Sequence, residues 1–160
     1  GTQDAGIVVQ GPITAVGFCP HHLLPVFYQA YVAYQPRPGS AVLGLSKLSR
    51  LTAVLARRPL LQEQVCADIA DALFFNDATP RDSLPQIETA GAAVQLIGWH
   101  SCMASRGARS LAPTLTTALR GSFGSTHLKT EFYQALRDLP PVAPVPAWVQ
   151  DPAGYDHNFI

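Results

Sequence analysis

Two short stretches hold most of the chain's capacity for chemistry: Cys19-Pro20-His21-His22 and His100-Ser101-Cys102. Two residues separate Cys19 from His22, a spacing with which a tight turn aims two ligands at one metal, and Pro20 stiffens that turn. Residues two apart on a strand share a face, so His100 and Cys102 are expected to look into one cleft. Thiolate and imidazole are donors that zinc prefers, and three protein ligands with a fourth position open describe a catalytic site rather than a structural one. Cys19, His22 and Cys102 are therefore candidate Zn2+ ligands. Spacing alone leaves a second reading open, in which both cysteines are core thiols and His22 is a loop histidine with its hydrogen bonds met. The third cysteine, Cys66, lies inside a helical stretch with no neighbouring ligand and reads as a buried apolar residue.

The elements that must position these residues follow from periodicity. Residues 7–18 are rich in β-branched side chains and read as a strand, bent or bulged near Gly11-Pro12. Residues 24–35 read as a second strand, with Gln29, Tyr31, Ala33 and Gln35 on one face and Tyr28, Ala30, Val32 and Tyr34 on the other. After a turn at 36–40, Leu48, Leu51, Val54 and Leu55 recur at helical spacing, with Ser46 as the expected N-cap. Pro59 separates that helix from a second, about 60–74, whose Leu61, Val65, Ile69 and Leu73 make one buried stripe. Residues 76–91 are loop-like. A buried strand over 92–103, a strand over 111–120 and a helix over about 126–138 complete the pattern. Strands grouped apart from helices argue for an α+β fold with an antiparallel sheet.

A length of 160 residues suits one domain with a sizeable core. We expect that domain over 1–139, followed by a Pro-rich, extended C-terminal tail over 140–160 that packs through its aromatic residues. Only 14% of residues are charged, below the roughly 25% of an average domain, so part of the surface is expected to be buried against other subunits. The formal net charge is zero, which gives no global field to attract nucleic acid or a membrane surface. An anion site has to be built locally. Three cysteines do not close a disulfide framework, and a reduced, cytoplasmic setting fits them. No apolar run approaches the ~18 residues of a membrane span, and Gly1 to Gly6 lacks the charged and apolar regions of a signal peptide.

Read together, the motifs resemble a known family. CPHHLLPV at 19–26, VAYQP at 32–36, GLSKLSR at 44–50, LQEQV at 61–65 and HSCMASRG at 100–107 are similar, in order, to the GTP cyclohydrolase I signature. TEFYQAL at 130–136 resembles that family's C-terminal helix. The resemblance implies a tunnelling fold: an antiparallel sheet with two helices packed on one face, sheets joining between subunits into a barrel, rings that stack, and active sites between subunits. It implies that Cys19, His22 and Cys102 hold zinc and that His21 and His100 are the acid–base histidines. It further implies that Glu63, with Gln62 before it, recognises guanine, and that Ser46, Lys47, Arg50 and Arg106 contact the triphosphate. Two departures stand out: the family usually has a helical segment before the sheet, and Pro20 stands where it commonly carries Glu.

Each assignment has a physical counterpart beside a plainer reading. A carboxylate can accept two hydrogen bonds from guanine N1–H and its exocyclic amine, a pair adenine does not offer; otherwise Glu63 is a solvated helix residue. Lys47 and Arg50 share a helix face near its N-terminus, which favours phosphate; otherwise they are a solvated basic edge. Arg106 beside Gly107 lets guanidinium and open backbone approach an anion together; otherwise it is a surface ion-pair residue. The implied reaction opens the guanine imidazole ring at C8, releases formate and forms 7,8-dihydroneopterin triphosphate. A diverged zinc hydrolase acting on another purine nucleotide or stopping at a formamide, and a non-catalytic pterin- or purine-binding subunit, are the alternatives.

Overall fold

The computed structural model describes residues 6–74 and 88–141. Its elements are β1 (Val8–Phe18), β2 (Pro25–Pro36), α1 (Leu45–Ala56), α2 (Gln62–Leu73), β3 (Thr89–His100), α3 (Ser101–Ala104), β4 (Thr114–Gly121), one 3-10 turn (Ser122–Gly124) and α4 (Thr126–Asp138). The four strands form one antiparallel sheet in the order β1-β2-β3-β4. This is the expected α+β class.

The alternation in β2 assigns its faces correctly. Tyr28, Ala30, Val32 and Tyr34 pair with Gly98, Leu96, Val94 and Ala92 of β3. With Val65, Ile69 and Leu73 of α2 and Leu48 and Ala56 of α1 they form the main core. The expected pair of helices on one face is therefore α1 and α2. The opposite face is covered too. There Ala33 and Ala93 pack with Phe123 and Phe132, while Tyr31, Ile97 and Trp99 meet Leu136 and Leu139. Coverage on both faces explains why β2 and β3 read as near-continuous apolar runs.

Several expected boundaries shift, each for a local reason. Ser46 is not the N-cap of α1: Gly44 occupies that position without a side-chain cap bond, and Lys47 N–H donates to Gly44 O at 2.8 Å. The strand expected to run to 103 ends at His100, and Cys102 lies on a helical turn. Pro25, one residue before Val26, has no N–H with which to continue the ladder; Ser101 Oγ donates to its carbonyl instead. β4 starts at Thr114 rather than 111 because Pro113 cannot donate to the sheet. The irregular stretch expected to reach residue 91 yields to strand at Thr89, where Thr89 Oγ1 donates to Leu73 O at 2.8 Å; its part over 76–87 lies outside the described residues. Most of the expected tail also lies outside them, although Pro140 O accepts from Tyr31 Oη at 3.2 Å. The bulge at Gly11-Pro12 is present as a register shift between Gln10 and Ile13.

One relationship sets up the site. Ser49 Oγ donates to Gln10 Oε1 at 3.3 Å near the start of β1, while Gly17 near its end lies against Ala56 of α1. The helix therefore runs parallel to β1. Its C-terminus faces the β1–β2 turn, and its N-terminus faces the far end of the sheet.

Candidate metal centre

The β1–β2 turn is closed by Cys19 N–H to Leu24 O and Leu23 N–H to Cys19 O, both at 3.0 Å. Leu23 takes a left-handed φ of 52° to complete it. Within the turn Cys19 Sγ lies 3.7 Å from His22 Nδ1. The ligand atoms of Cys19, His22 and Cys102 all lie within 4.8 Å of one another. A tetrahedral zinc with bonds of about 2.0–2.3 Å sets its ligands roughly 3.5–4 Å apart. The donor set and spacing thus fit a metal ion of this kind. His22 is exposed, Cys102 half-buried and Cys19 buried, so the cluster is open on one side.

Its electrostatics also suit a metal. Burial opposes ionisation of Cys19, but bonds from the Leu24 and His22 backbone and from the Cys102 thiol outweigh it and hold its pKa below the ordinary value. Burial, the hydrogen bond to Cys19 and the charge there push the Cys102 thiol up. A divalent cation that binds such a pair displaces the thiol protons.

Behind the cluster stands a second group. His100 Nε2 lies 2.8 Å from Gln62 Oε1. The His100 ring meets Tyr28 edge-on, with centroids 6.3 Å apart and planes at 89°. Burial lowers the His100 pKa, opposed by the negative charge of Glu63. The same charge, after burial and Cys19, raises the Tyr28 phenol to about 12. Glu63 is exposed in the first turn of α2 and has no ion-pair partner among the described residues. Tyr28 and Gly98 are members of this group that sequence reasoning missed. Tyr28 reads as an ordinary core aromatic, and Gly98 matters only through what fills its missing side chain.

The remaining candidates divide. His21 is exposed beside the cluster, its ring 6.2 Å from that of His22. Arg106 is exposed in the loop that follows α3, where Gly107 takes a φ of 58°. Ser46, Lys47 and Arg50 are exposed near the N-terminus of α1, at the end of the sheet away from Cys19. The nine residues from Gln10 to Cys19 span roughly 30 Å at ~3.3 Å per residue. These three side chains are therefore not brought to the cluster of their own chain.

A four-stranded antiparallel sheet, a helix pair inserted between β2 and β3, and a Cys-His-Cys cluster at one sheet end define a tunnelling-fold protein with a candidate metal centre. A crystal structure of an archaeosine synthase QueF-like protein has a similar fold, with a TM-score of 0.51 at 15% identity over 75% of this chain and 96% of that one. The profile of the family described as GTP cyclohydrolase I matches residues 2–137, and the chain belongs to that family. A GTP cyclohydrolase 1 of Thermoanaerobacter pseudethanolicus is 41% identical over 118 residues, covering 73% of this chain and 57% of the relative. One from Corynebacterium glutamicum is 39% identical over 124 residues, covering 77% and 57%. One from Halalkalibacterium halodurans is 37% identical over 126 residues, covering 78% and 61%. The matched region thus spans about three-fifths of the length of these curated relatives. Among the described residues, no helix is long and apolar enough to cross a membrane.

Proposed function

We propose that this chain is a zinc-dependent GTP cyclohydrolase I that opens the guanine imidazole ring at C8, releases formate and yields 7,8-dihydroneopterin triphosphate. The observation that carries this reading is the convergence of Cys19, His22 and Cys102 within 4.8 Å, beside His100 and Glu63, in a chain of this family. Cys19, His22 and Cys102 hold the ion. When bound, zinc supplies Lewis acidity, lowering the pKa of a coordinated water to near ~7.

The protein's own groups do the rest. Glu63 accepts from guanine N1–H and the exocyclic amine, which selects a guanine base over adenine. His100 and His21 move protons at the purine ring nitrogens and the departing groups, work to which imidazole is suited as a general acid and base. Arg106 meets the triphosphate through a charge-assisted bond. Ser46, Lys47 and Arg50 serve the triphosphate of a neighbouring subunit's site, since they stand at the far end of their own sheet.

That division calls for an oligomer. Both edge strands of the sheet expose apolar side chains, Val16 and Phe18 on β1 and Leu115 on β4. Open edges of this kind pair with another strand, and joining β1 of one copy to β4 of the next would continue the sheet into a ring. The free cysteines suit a reducing, cytoplasmic compartment.

The test is to incubate the zinc-loaded protein with GTP and follow formate release together with pterin fluorescence after oxidation. Both signals support the full reaction. Formate without a pterin would replace it with an enzyme that stops at ring opening. Neither signal, from a protein that retains its zinc, would contradict the assignment of GTP as substrate.

A further inference from the structure

We infer that Gln62 is a positioning residue rather than a base-reading one: it fixes His100 as the Nε2–H tautomer and leaves Nδ1 as the nitrogen that takes and gives the proton. The inference rests on His100 being the acid–base residue of the proposed reaction.

The argument begins with the Gln62 amide. Gln62 is buried. Its Nε2 lies 3.1 Å from Leu96 O and 2.8 Å from Thr114 O. Both partners are backbone carbonyls, which only accept, so both amide hydrogens are committed there. Thr116 Oγ1, at 3.3 Å, fills the remaining side of the same nitrogen. Flipping the amide would set its oxygen against two carbonyl oxygens, so these partners decide its orientation.

Oε1 must then face His100 Nε2, at 2.8 Å. An amide oxygen only accepts, so Nε2 carries the hydrogen. In a neutral imidazole one nitrogen donates and the other accepts, which leaves the lone pair on Nδ1. The edge-on contact with Tyr28 holds the ring from a second side. With its amide hydrogens committed inside the chain, Gln62 has none to offer a bound base. Guanine recognition then falls to its neighbour Glu63, which is exposed.

Gly98 shows what this arrangement requires. A Cβ at position 98 would lie 2.3 Å from Gln62 Oε1, 3.0 Å from its Cδ and 3.0 Å from Tyr28 Cε1. The missing side chain is the space that the amide occupies. Gly98→Ala therefore displaces the Gln62 amide without changing Gln62 or any group placed at the reaction. The fold should survive, because the nearest atom to be moved is the end of a side chain.

The test uses the zinc-loaded full chain, Gln62→Leu and Gly98→Ala, with metal content, GTP kinetics and the long-range 1H–15N imidazole spectrum of His100 measured for each. The wild-type spectrum should show a protonated Nε2 and an unprotonated Nδ1. Both variants should keep their zinc and lose that single-tautomer pattern. Their kcat should fall roughly 10²-fold, the scale of a misplaced catalytic group, with KM for GTP within about twofold. A protonated Nδ1 in the wild type, or a pattern unchanged in both variants, would overturn the inference. So would a raised KM with kcat intact, the mark of a residue that touches substrate. Should Gln62→Leu not fold, Gly98→Ala carries the test. The spectrum needs no turnover: a tautomer that responds to both variants in a protein that leaves GTP untouched would sustain the role of Gln62 and reject only the assigned reaction.

Discussion

Val26 pairs with His100 across the β2–β3 ladder, next to the pairing of Phe18 with Pro25 across β1–β2. Those two registers bring three strand ends to one place. They set the turn that carries Cys19 and His22 against the helical turn that carries Cys102, although the two segments are remote in sequence.

If this junction is the metal site, ligand and proton-transfer variants separate cleanly. Cys19→Ala, His22→Ala and Cys102→Ala should each lose zinc on dialysis against a chelator that leaves the wild type loaded, since each removes one of three protein donors. His100→Ala and His21→Ala should keep the metal, and His100→Ala should lower turnover by about 10²–10⁴-fold. Metal analysis after dialysis decides the matter. A His100→Ala protein without zinc would make His100 a ligand.

Gly17 seats α1 on the sheet. A Cβ there would come within 2.2 Å of Ala56 O and 2.9 Å of Tyr28 Cε2, and a backbone carbonyl at a helix end cannot yield as a side chain can. Gly17→Ala should therefore destabilise the fold by about 1–3 kcal/mol. Gly44→Ala, whose Cβ would meet only Lys47 Cγ at 3.8 Å, should cost less, about 0.5–1 kcal/mol from the weaker N-cap alone. Urea titrations of the two variants make the comparison, and equal midpoints would refute it.

Much of this was legible in the sequence where one residue type forces the outcome. Gly11-Pro12 bends β1, Pro59 separates the helices, and the alternation of Tyr28 to Gln35 sorts β2 into two faces. Cys19, His22 and Cys102 stand out as candidate ligands by donor type, and they are the residues whose side chains converge. Less legible were events decided by a partner elsewhere in the chain. Cys102 leaves the strand because Pro25, on the neighbouring strand, ends the ladder. Ser46 reads as a cap from its type alone, yet the first turn of α1 closes on Gly44. The family resemblance assigns Ser46, Lys47 and Arg50 to the triphosphate, but α1 runs parallel to β1 and carries them to the end of their own sheet away from Cys19. Gln62, next to Glu63, looks like part of a base-reading pair until its amide partners on β3 and β4 are seen.

The buried phenol of Tyr28 gives a pH signature. Burial first, then the charges at Cys19 and Glu63, push its pKa from the ordinary 10.0 to about 12. The folded state therefore holds this proton more tightly than the unfolded chain. The associated stability is fully present below pH 10 and is lost as the pH rises from there through about 12. Tyr28→Phe has no such proton. Its urea midpoint should fall less than that of the wild type between about pH 9 and about pH 11, and an equal fall would contradict the assignment.

The separation of Lys47 from its own cluster predicts complementation. Lys47→Ala and His100→Ala should each be nearly inactive alone. Refolded together, they should regain up to about a quarter of wild-type activity, because one in four random pairings joins an intact half from each chain. No recovery in a mixture that demonstrably co-assembles would mean that each chain builds its whole site.

The most direct measurement is the zinc absorption spectrum of the loaded, reduced protein. Two sulfur scatterers at about 2.3 Å, with nitrogen and oxygen at about 2.0–2.1 Å completing four-fold coordination, are what Cys19, His22, Cys102 and an open fourth position require. A tightly bound ion with no sulfur neighbours, or a folded protein that takes up no zinc, would contradict the account.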